Sequence, residues 1–208
     1  MRLYASSGAA VRGHTRIRAW TAPLAALAER APDQGRLLEV GCGHGLFANA
    51  CALLHPGLDV LGIDPAPAKI EAAEATVGTR GNVRFRCQQL SDLPERDFDA
   101  VAVVDVLYLV ARAEWATFLG RCRDGLRPGG RLLLKDVDTR PRWKFYRCVA
   151  QETLSVKLFG LTLGGAFAFA SKGAMIEELE ALGFRDVRAT SLGRGYLTPH
   201  VLYEAVRP

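Results

Sequence analysis

The chain has 208 residues, 49% of them hydrophobic and 24% charged, with a formal net charge of +5. A chain of this size buries enough apolar surface to hold together without disulfide or metal staples, and one domain spanning 1–208 is the simplest organisation. The five cysteines (Cys42, Cys51, Cys87, Cys122, Cys148) are scattered with no C-x-x-C pair, which excludes a structural zinc and suits a reducing compartment. The N-terminus lacks the continuous apolar stretch of a signal peptide, and no uncharged run reaches the length of a membrane span. A cytoplasmic protein is expected.

In chain order, His14 to Ala31 reads as a helix, because Ile17, Trp20, Leu24 and Leu27 recur at three- and four-residue steps. Pro23 inside that pattern predicts a kink, or a second start near Thr21. Arg36–Val40 is an apolar run that reads as a buried parallel strand. It ends at Glu39 and a loop with glycines at Gly41, Gly43 and Gly45, after which a helix spans Leu46–Leu54. A second strand, Asp59–Ile63, stops at Asp64-Pro65, and the next helix covers Pro67–Val77 with Gly78 as its cap. Strands follow at Val83–Cys87 and Ala100–Val104, then a helix at Ala113–Gly125 and a strand at Arg131–Asp136. This β-α-β alternation predicts a parallel sheet with helices on both faces. The end departs from it: helix Lys172–Leu182 precedes two strands, Phe184–Ser191 and His200–Val206. They lie close enough in sequence to form a hairpin, which makes the last strand antiparallel.

The strand, glycine loop, helix, strand and acid between Arg36 and Asp64 form a nucleoside-binding half of an open α/β sheet, since an acid at the end of the second strand can accept from ribose hydroxyls. The dinucleotide fingerprint requires its third glycine where this chain has Leu46, so a nicotinamide-dependent reductase is disfavoured. The run Glu39-Val40-Gly41-Cys42-Gly43-His44-Gly45 resembles instead the first motif of class I S-adenosylmethionine (SAM)-dependent methyltransferases. Three more segments arrive in that family's order: Asp64-Pro65, the strand Phe98–Val104 with Asp105-Val106-Leu107, and the turn Leu126-Arg127-Pro128-Gly129-Gly130. The resemblance covers roughly residues 35–138. It implies a doubly wound seven-stranded sheet ordered 3-2-1-4-5-7-6 with the last strand antiparallel, and a Rossmann-like SAM site.

The resemblance assigns Gly41, Cys42, Gly43 and Gly45 to the methionine portion of SAM, and Glu39 to the cofactor's ammonium or to ordering the loop. Asp64, with Pro65 behind it, takes the ribose hydroxyls. Gln89 stands where relatives often place an Asp against the adenine amino group, and its side-chain carbonyl is also an acceptor. Leu90 offers its backbone amide to an adenine nitrogen, and Asp105 lies near the methionine amine or the acceptor. The expected product is S-adenosylhomocysteine (SAH).

Methyl transfer from a sulfonium needs an aligned acceptor and excluded water, and an acceptor that loses a proton also needs a base. The candidates are Asp138, His200 and His14, with Asp105, Tyr108 and Asp136 in the same range; His44 is a poor one. Excess positive charge sits outside the nucleoside-binding core. Residues 1–36 hold six Arg against two acids, and residues 139–150 hold Arg140, Arg142, Lys144 and Arg147 with no acid. Residues 1–34 are read as an N-terminal cap helix and 139–170 as a substrate-covering insert. There Trp143, Phe145 and Tyr146 interleave with the bases, and Leu158, Phe159, Leu161, Leu163, Phe167 and Phe169 would line an apolar cavity hinged at Gly160, Gly164 and Gly165. The acceptor expected is small or lipid-like, apolar with an anionic end, free or carried by a protein, with oxygen favoured as the methylated atom and carbon or nitrogen left open. Peripheral membrane contact stays open, and nucleic acid is disfavoured. The rival reading is a SAM-binding partner subunit without catalysis.

Overall fold

The structure, a computed structural model, describes residues 2–159 and 167–208. Its strands are β1 (Gln34–Val40), β2 (Gly57–Asp64), β3 (Val83–Cys87), β4 (Phe98–Val104), β5 (Leu126–Val137), β6 (Arg185–Ser191) and β7 (His200–Val206). Its helices are α1 (Ala9–Thr21), α2 (Leu24–Ala28), α3 (Leu46–Leu54), α4 (Pro67–Glu74), α5 (Trp115–Gly125), α6 (Arg142–Phe159) and α7 (Lys172–Ala181). The seven strands make one sheet in the order β3-β2-β1-β4-β5-β7-β6. Strands β1 to β5 pair in parallel, and β7 inserts antiparallel to both β5 and β6. The expected order and the reversed last strand are both present.

Alternation along the strands sends neighbouring residues into two cores. On one face Leu38, Val101, Leu132 and Val201 pack under Trp115 and Leu119 of α5 and Met175 and Leu179 of α7. On the other, Leu37, Val60, Ala100 and Leu133 pack under Phe47 and Cys51 of α3, Ile70 of α4 and Leu27 of α2. Each Val, Leu, Ile, Met or Phe among them, sealed from water, contributes on the order of 1.5–3 kcal/mol. Ser171 caps α7 by accepting from the Ala174 amide at 3.3 Å. Among the described residues, no helix is long and apolar enough to cross a membrane.

The N-terminal segment breaks near Pro23 as expected, but its apolar stripe does not all face the core. The helix starts at Ala9 rather than His14 and breaks at Ala22, which is extended (φ −121°, ψ 142°) before Pro23. Proline disfavours helical geometry in the residue ahead of it, so the 3.6-residue period does not carry from α1 into α2. Leu27 reaches the core, whereas Ile17 and Trp20 are 61% and 83% exposed. α1 instead docks through buried Thr15 and through Arg18, which pairs with Asp105. Elsewhere the differences are at ends: β1, β2, β4 and β5 run longer than read, because their paired backbone extends past the apolar core. α4 stops at Glu74, three residues short, in turns leading to Gly78 at φ +59°.

Candidate active site

The nucleoside-side residues converge where β1 and β2 end. Gly41 and Gly45 hold left-handed φ of +73° and +77°, and a Cβ on either would strike Val106 or the Phe85 ring at 2.5 Å. These two glycines are therefore demanded by backbone conformation and close packing together. Gly43, at φ +54°, has open space above it, with nothing within 4 Å of where its Cβ would stand. Its amide donates to Asp64 Oδ2 at 3.0 Å, and the Ala66 amide donates to Asp64 Oδ1 at 2.9 Å. Asp64 thus clasps the glycine loop to the turn after β2, with lone pairs left for hydroxyl donors. The amides of Gly41 and Cys42 are spent on the Ile63 carbonyl at 2.8 and 2.9 Å. Burial pushes the Cys42 thiol up, so it stays protonated.

Glu39 is buried, and its Oε2 accepts from the Ala48 amide in the first turn of α3 at 2.9 Å. Burial raises its carboxyl to about 8, and Asp64 adds to that against the opposing Ala48 bond. Glu39 is therefore mainly protonated at pH 7 and ready to ionise against a cation. An ammonium bound beside it would draw that proton off, so ligand affinity should rise with pH and level off above about 8. Titrating SAH in buffers of different ionisation enthalpy should show proton release at pH 7. Heat independent of buffer would remove Glu39 from the ammonium's surroundings.

The loop is braced by a network the sequence reading missed. Tyr4 Oη donates to the His44 carbonyl at 2.8 Å. Asn49, buried in α3, donates to the Gly45 carbonyl at 2.7 Å and to Thr76 Oγ1 at 2.8 Å, and accepts from Arg80 at 2.6 Å. The available signal was Asn49, a polar residue inside the otherwise apolar Leu46–Leu54 run. β3 ends beside Asp64, where the Gln88 amide donates to the Asp64 carbonyl at 3.2 Å. Gln89 follows, exposed, with Leu90 half-buried at the start of a short 3₁₀ turn; Pro65 is exposed.

The acceptor-side candidates are drawn into a buried charge cluster. Asp105 pairs with Lys135 of β5 and with Arg18 of α1. Burial alone would raise Asp105, but Lys135 and Arg18, with His200 behind them, outweigh it and hold the carboxyl far below its usual range. Burial lowers the Lys135 ammonium, and Asp105 opposes that. Burial raises Asp136 to about 7 despite the Val137 amide that donates to its Oδ1 at 2.7 Å. His200 Nε2 meets the Thr21 carbonyl at 2.8 Å, and its buried Nδ1 has no hydrogen-bond partner among the described residues. Desolvation, reinforced by Lys135, lowers His200 to about 4, so it is neutral at pH 7. His14 lies 5.1 Å from the His44 ring, and desolvation with the nearby His44, Arg18 and Lys69 lowers it to about 4. Asp138 accepts from the Arg140 amide at 3.2 Å and pairs with Lys172 at 3.1 Å. These groups share one sheet edge, whereas His14 stands on the glycine-loop side.

Within the expected insert, residues 142–159 form α6. Phe145, Phe167 and Phe169 pack with Tyr108, Val137 and Cys148. The Tyr108 and Phe169 rings stack at 5.6 Å, and Phe145 meets Phe169 edge-on at 5.1 Å. Gly160, Leu161, Leu163, Gly164 and Gly165 lie outside the described residues, as do the side chains of Leu158 and Phe159.

An open α/β sheet with an antiparallel last strand, a three-glycine loop after β1 and a buried acid at the end of β2 is the arrangement of the class I SAM-dependent methyltransferases. A model of the methyltransferase domain matches residues 38–132. The ubiquinone biosynthesis O-methyltransferase of a Bradyrhizobium species is 32% identical over 114 residues, 53% of this chain and 42% of that one. This chain spans less than half the length of the curated relatives it matches. Among solved structures, the apo SAM-dependent methyltransferase SibL is 26% identical with a TM-score of 0.71, across 100% of this chain and 61% of that one. Human N-acetylserotonin methyltransferase, solved in complex with SAM, has a TM-score of 0.73 at 17% identity, covering 94% and 54%. Residues 38–132 match a methyltransferase domain, and the fold is that of the class I SAM-dependent methyltransferases, whose cofactor is SAM.

The residues present fit that cofactor. Space is open over Gly43, whose amide bonds the Asp64 carboxylate suited to a ribose diol, and the buried Glu39 carboxyl, close enough to feel Asp64, is able to ionise beside an ammonium.

Proposed function

We propose that this chain methylates an oxygen of a small, lipid-like acceptor that is apolar with an anionic end. The observation that carries this reading is the aromatic wall of Tyr108, Phe145, Phe167 and Phe169, which stands at the same sheet edge as the Asp105–Lys135 cluster. The similarity to ubiquinone biosynthesis O-methyltransferases supports oxygen as the acceptor atom. When bound, SAM supplies the electrophilic methyl group. Asp64 holds the ribose and Glu39 faces the ammonium, while the aromatic wall orients the acceptor and excludes water. Asp136, raised to about 7, is the carboxyl poised to take the acceptor's proton at neutral pH. In this scheme His200, His14 and Asp138 position α1, the glycine loop and the start of α6.

The test is transfer of labelled methyl from SAM to a panel of long-chain phenols with and without a carboxylate. Turnover should favour the apolar anionic phenols. Asp136→Asn should lower kcat at least tenfold and flatten the pH profile near 7 with SAH affinity unchanged. SAH binding without turnover on any acceptor would move the chain to the alternative, a SAM-binding partner subunit.

A further inference from the structure

Three segments meet at the carboxyl edge of the sheet. The end of α1 joins β7 where His200 Nε2 meets the Thr21 carbonyl at 2.8 Å. The Tyr196 ring packs edge-on against the His200 ring at 5.3 Å. Lys144, in the first turn of α6, donates to the Tyr196 carbonyl at 2.6 Å and to the Gly193 carbonyl at 3.0 Å. This ties α1, the β6–β7 loop and α6 into one rim. Each tie has an exposed apolar neighbour in sequence: Trp20 beside Thr21, Leu197 beside Tyr196, and Trp143 beside Lys144. They are 83%, 57% and 60% exposed. Ile17 and Tyr146 extend the surface, each three residues along its helix from a Trp and therefore on the same face.

The rim is also charged with one sign. Residues 9–21, 139–150 and 192–199 together carry eight basic residues and no acid. Lys144 and Arg18 are turned inward, to loop carbonyls and to Asp105. Arg16, Arg140, Arg147 and Arg194 are exposed and make no ion pair among the described residues.

We propose that this basic, aromatic rim docks the protein on an anionic lipid surface, with Trp20 and Trp143 seated at headgroup depth. Exposed indoles interspersed with arginines and free of acids match the interface of an anionic bilayer. There amphipathic rings rest among the headgroups and every cation finds a counter-charge. A protein partner of mixed charge would leave part of a one-signed rim unmatched. The inference stands on the rim and not on the acceptor assignment, and it describes a surface contact rather than a span.

The tryptophans report on it directly. Trp20 and Trp143 are exposed, while Trp115 is fully buried and serves as the internal standard. Adding vesicles of phosphatidylglycerol and phosphatidylcholine to the full chain should shift emission to the blue and shield two of the three indoles from acrylamide. Pure phosphatidylcholine should do neither, and added salt should reverse the effect. Trp20→Phe and Trp143→Phe should each remove part of the shift. Replacing Arg16, Arg140, Arg147 and Arg194 together with Gln should weaken vesicle partitioning at least about a hundredfold. SAH affinity, measured without lipid, checks that each variant is folded. No shift with anionic vesicles, or equal binding to neutral ones, would overturn the proposal. So would a dimer whose Trp20 and Trp143 are already shielded before lipid is added, since the rim would then be a contact between copies.

Discussion

Replacing Asp105 with Asn should destabilise the fold by about 3–5 kcal/mol, read as a lowered denaturation midpoint at unchanged slope. Asn is the informative substitution because residue 105 holds φ +58°, a left-handed conformation that Asn tolerates and most side chains do not. The change therefore isolates charge from backbone strain. Side-chain exposure is 1% at Lys135 and 5% at Asp105, so the variant leaves an ammonium buried without its counter-ion. Adding Lys135→Met removes that stranded charge, and the double variant should recover most of the lost stability. Lys135→Met alone should cost less than Asp105→Asn, because Asp105 keeps its pair with Arg18. The same carboxylate holds α1 through Arg18, so Asp105→Asn should also open the α1 region to protease. Unchanged stability in Asp105→Asn would show that the pair is not the electrostatic anchor its burial implies.

Helices and strands that contribute periodic apolar faces to a core were legible in the sequence. Helix Leu46–Leu54 and strands Val83–Cys87 and His200–Val206 have the expected bounds, because glycines, Pro-Gly turns or a change of period mark both ends. The strand order was legible too, but through the succession of four motifs rather than through any local rule. What misled was α1. Its apolar residues have helical spacing, yet they face solvent, and the polar Thr15 and Arg18 face the protein. Periodicity registers a face without saying what covers it. Here the inward pull is an ion pair to residue 105, far along the chain.

At the site, the glycine loop and its two acids could be read locally because backbone conformation itself demands Gly41 and Gly45. The acceptor side could not. Lys135 follows the apolar Leu132–Leu134 and precedes Asp136, and reads as a solvated strand residue until β4 brings Asp105 alongside. His200 and Asp138 are recognisable as polar residues at strand ends, but their partners are backbone groups and a lysine on other elements. Those partners depend on how α1, α6 and α7 are hung on the sheet edge. The aromatic wall shows the opposite case. Phe167 and Phe169 were read as lining residues by composition, and they pack against Tyr108, which comes from a loop some sixty residues earlier.

Asp64→Ala should weaken SAM and SAH binding about a hundredfold or more by titration calorimetry, since each hydrogen bond to a buried carboxylate contributes roughly 1.5–3 kcal/mol. The difficulty is that Asp64 also clasps Gly43 and Ala66 in the absence of ligand, so truncation could act through the loop alone. A double cycle separates the two effects. The wild type and Asp64→Ala are each titrated with SAH and with its 2′-deoxy analogue. If the carboxylate holds the ribose, removing the hydroxyl costs affinity only in the wild type, and the two losses do not add. If Asp64 is only a clasp, the hydroxyl is worth the same in both proteins and the losses are additive. Additive losses would leave the open space above Gly43 without its ribose anchor.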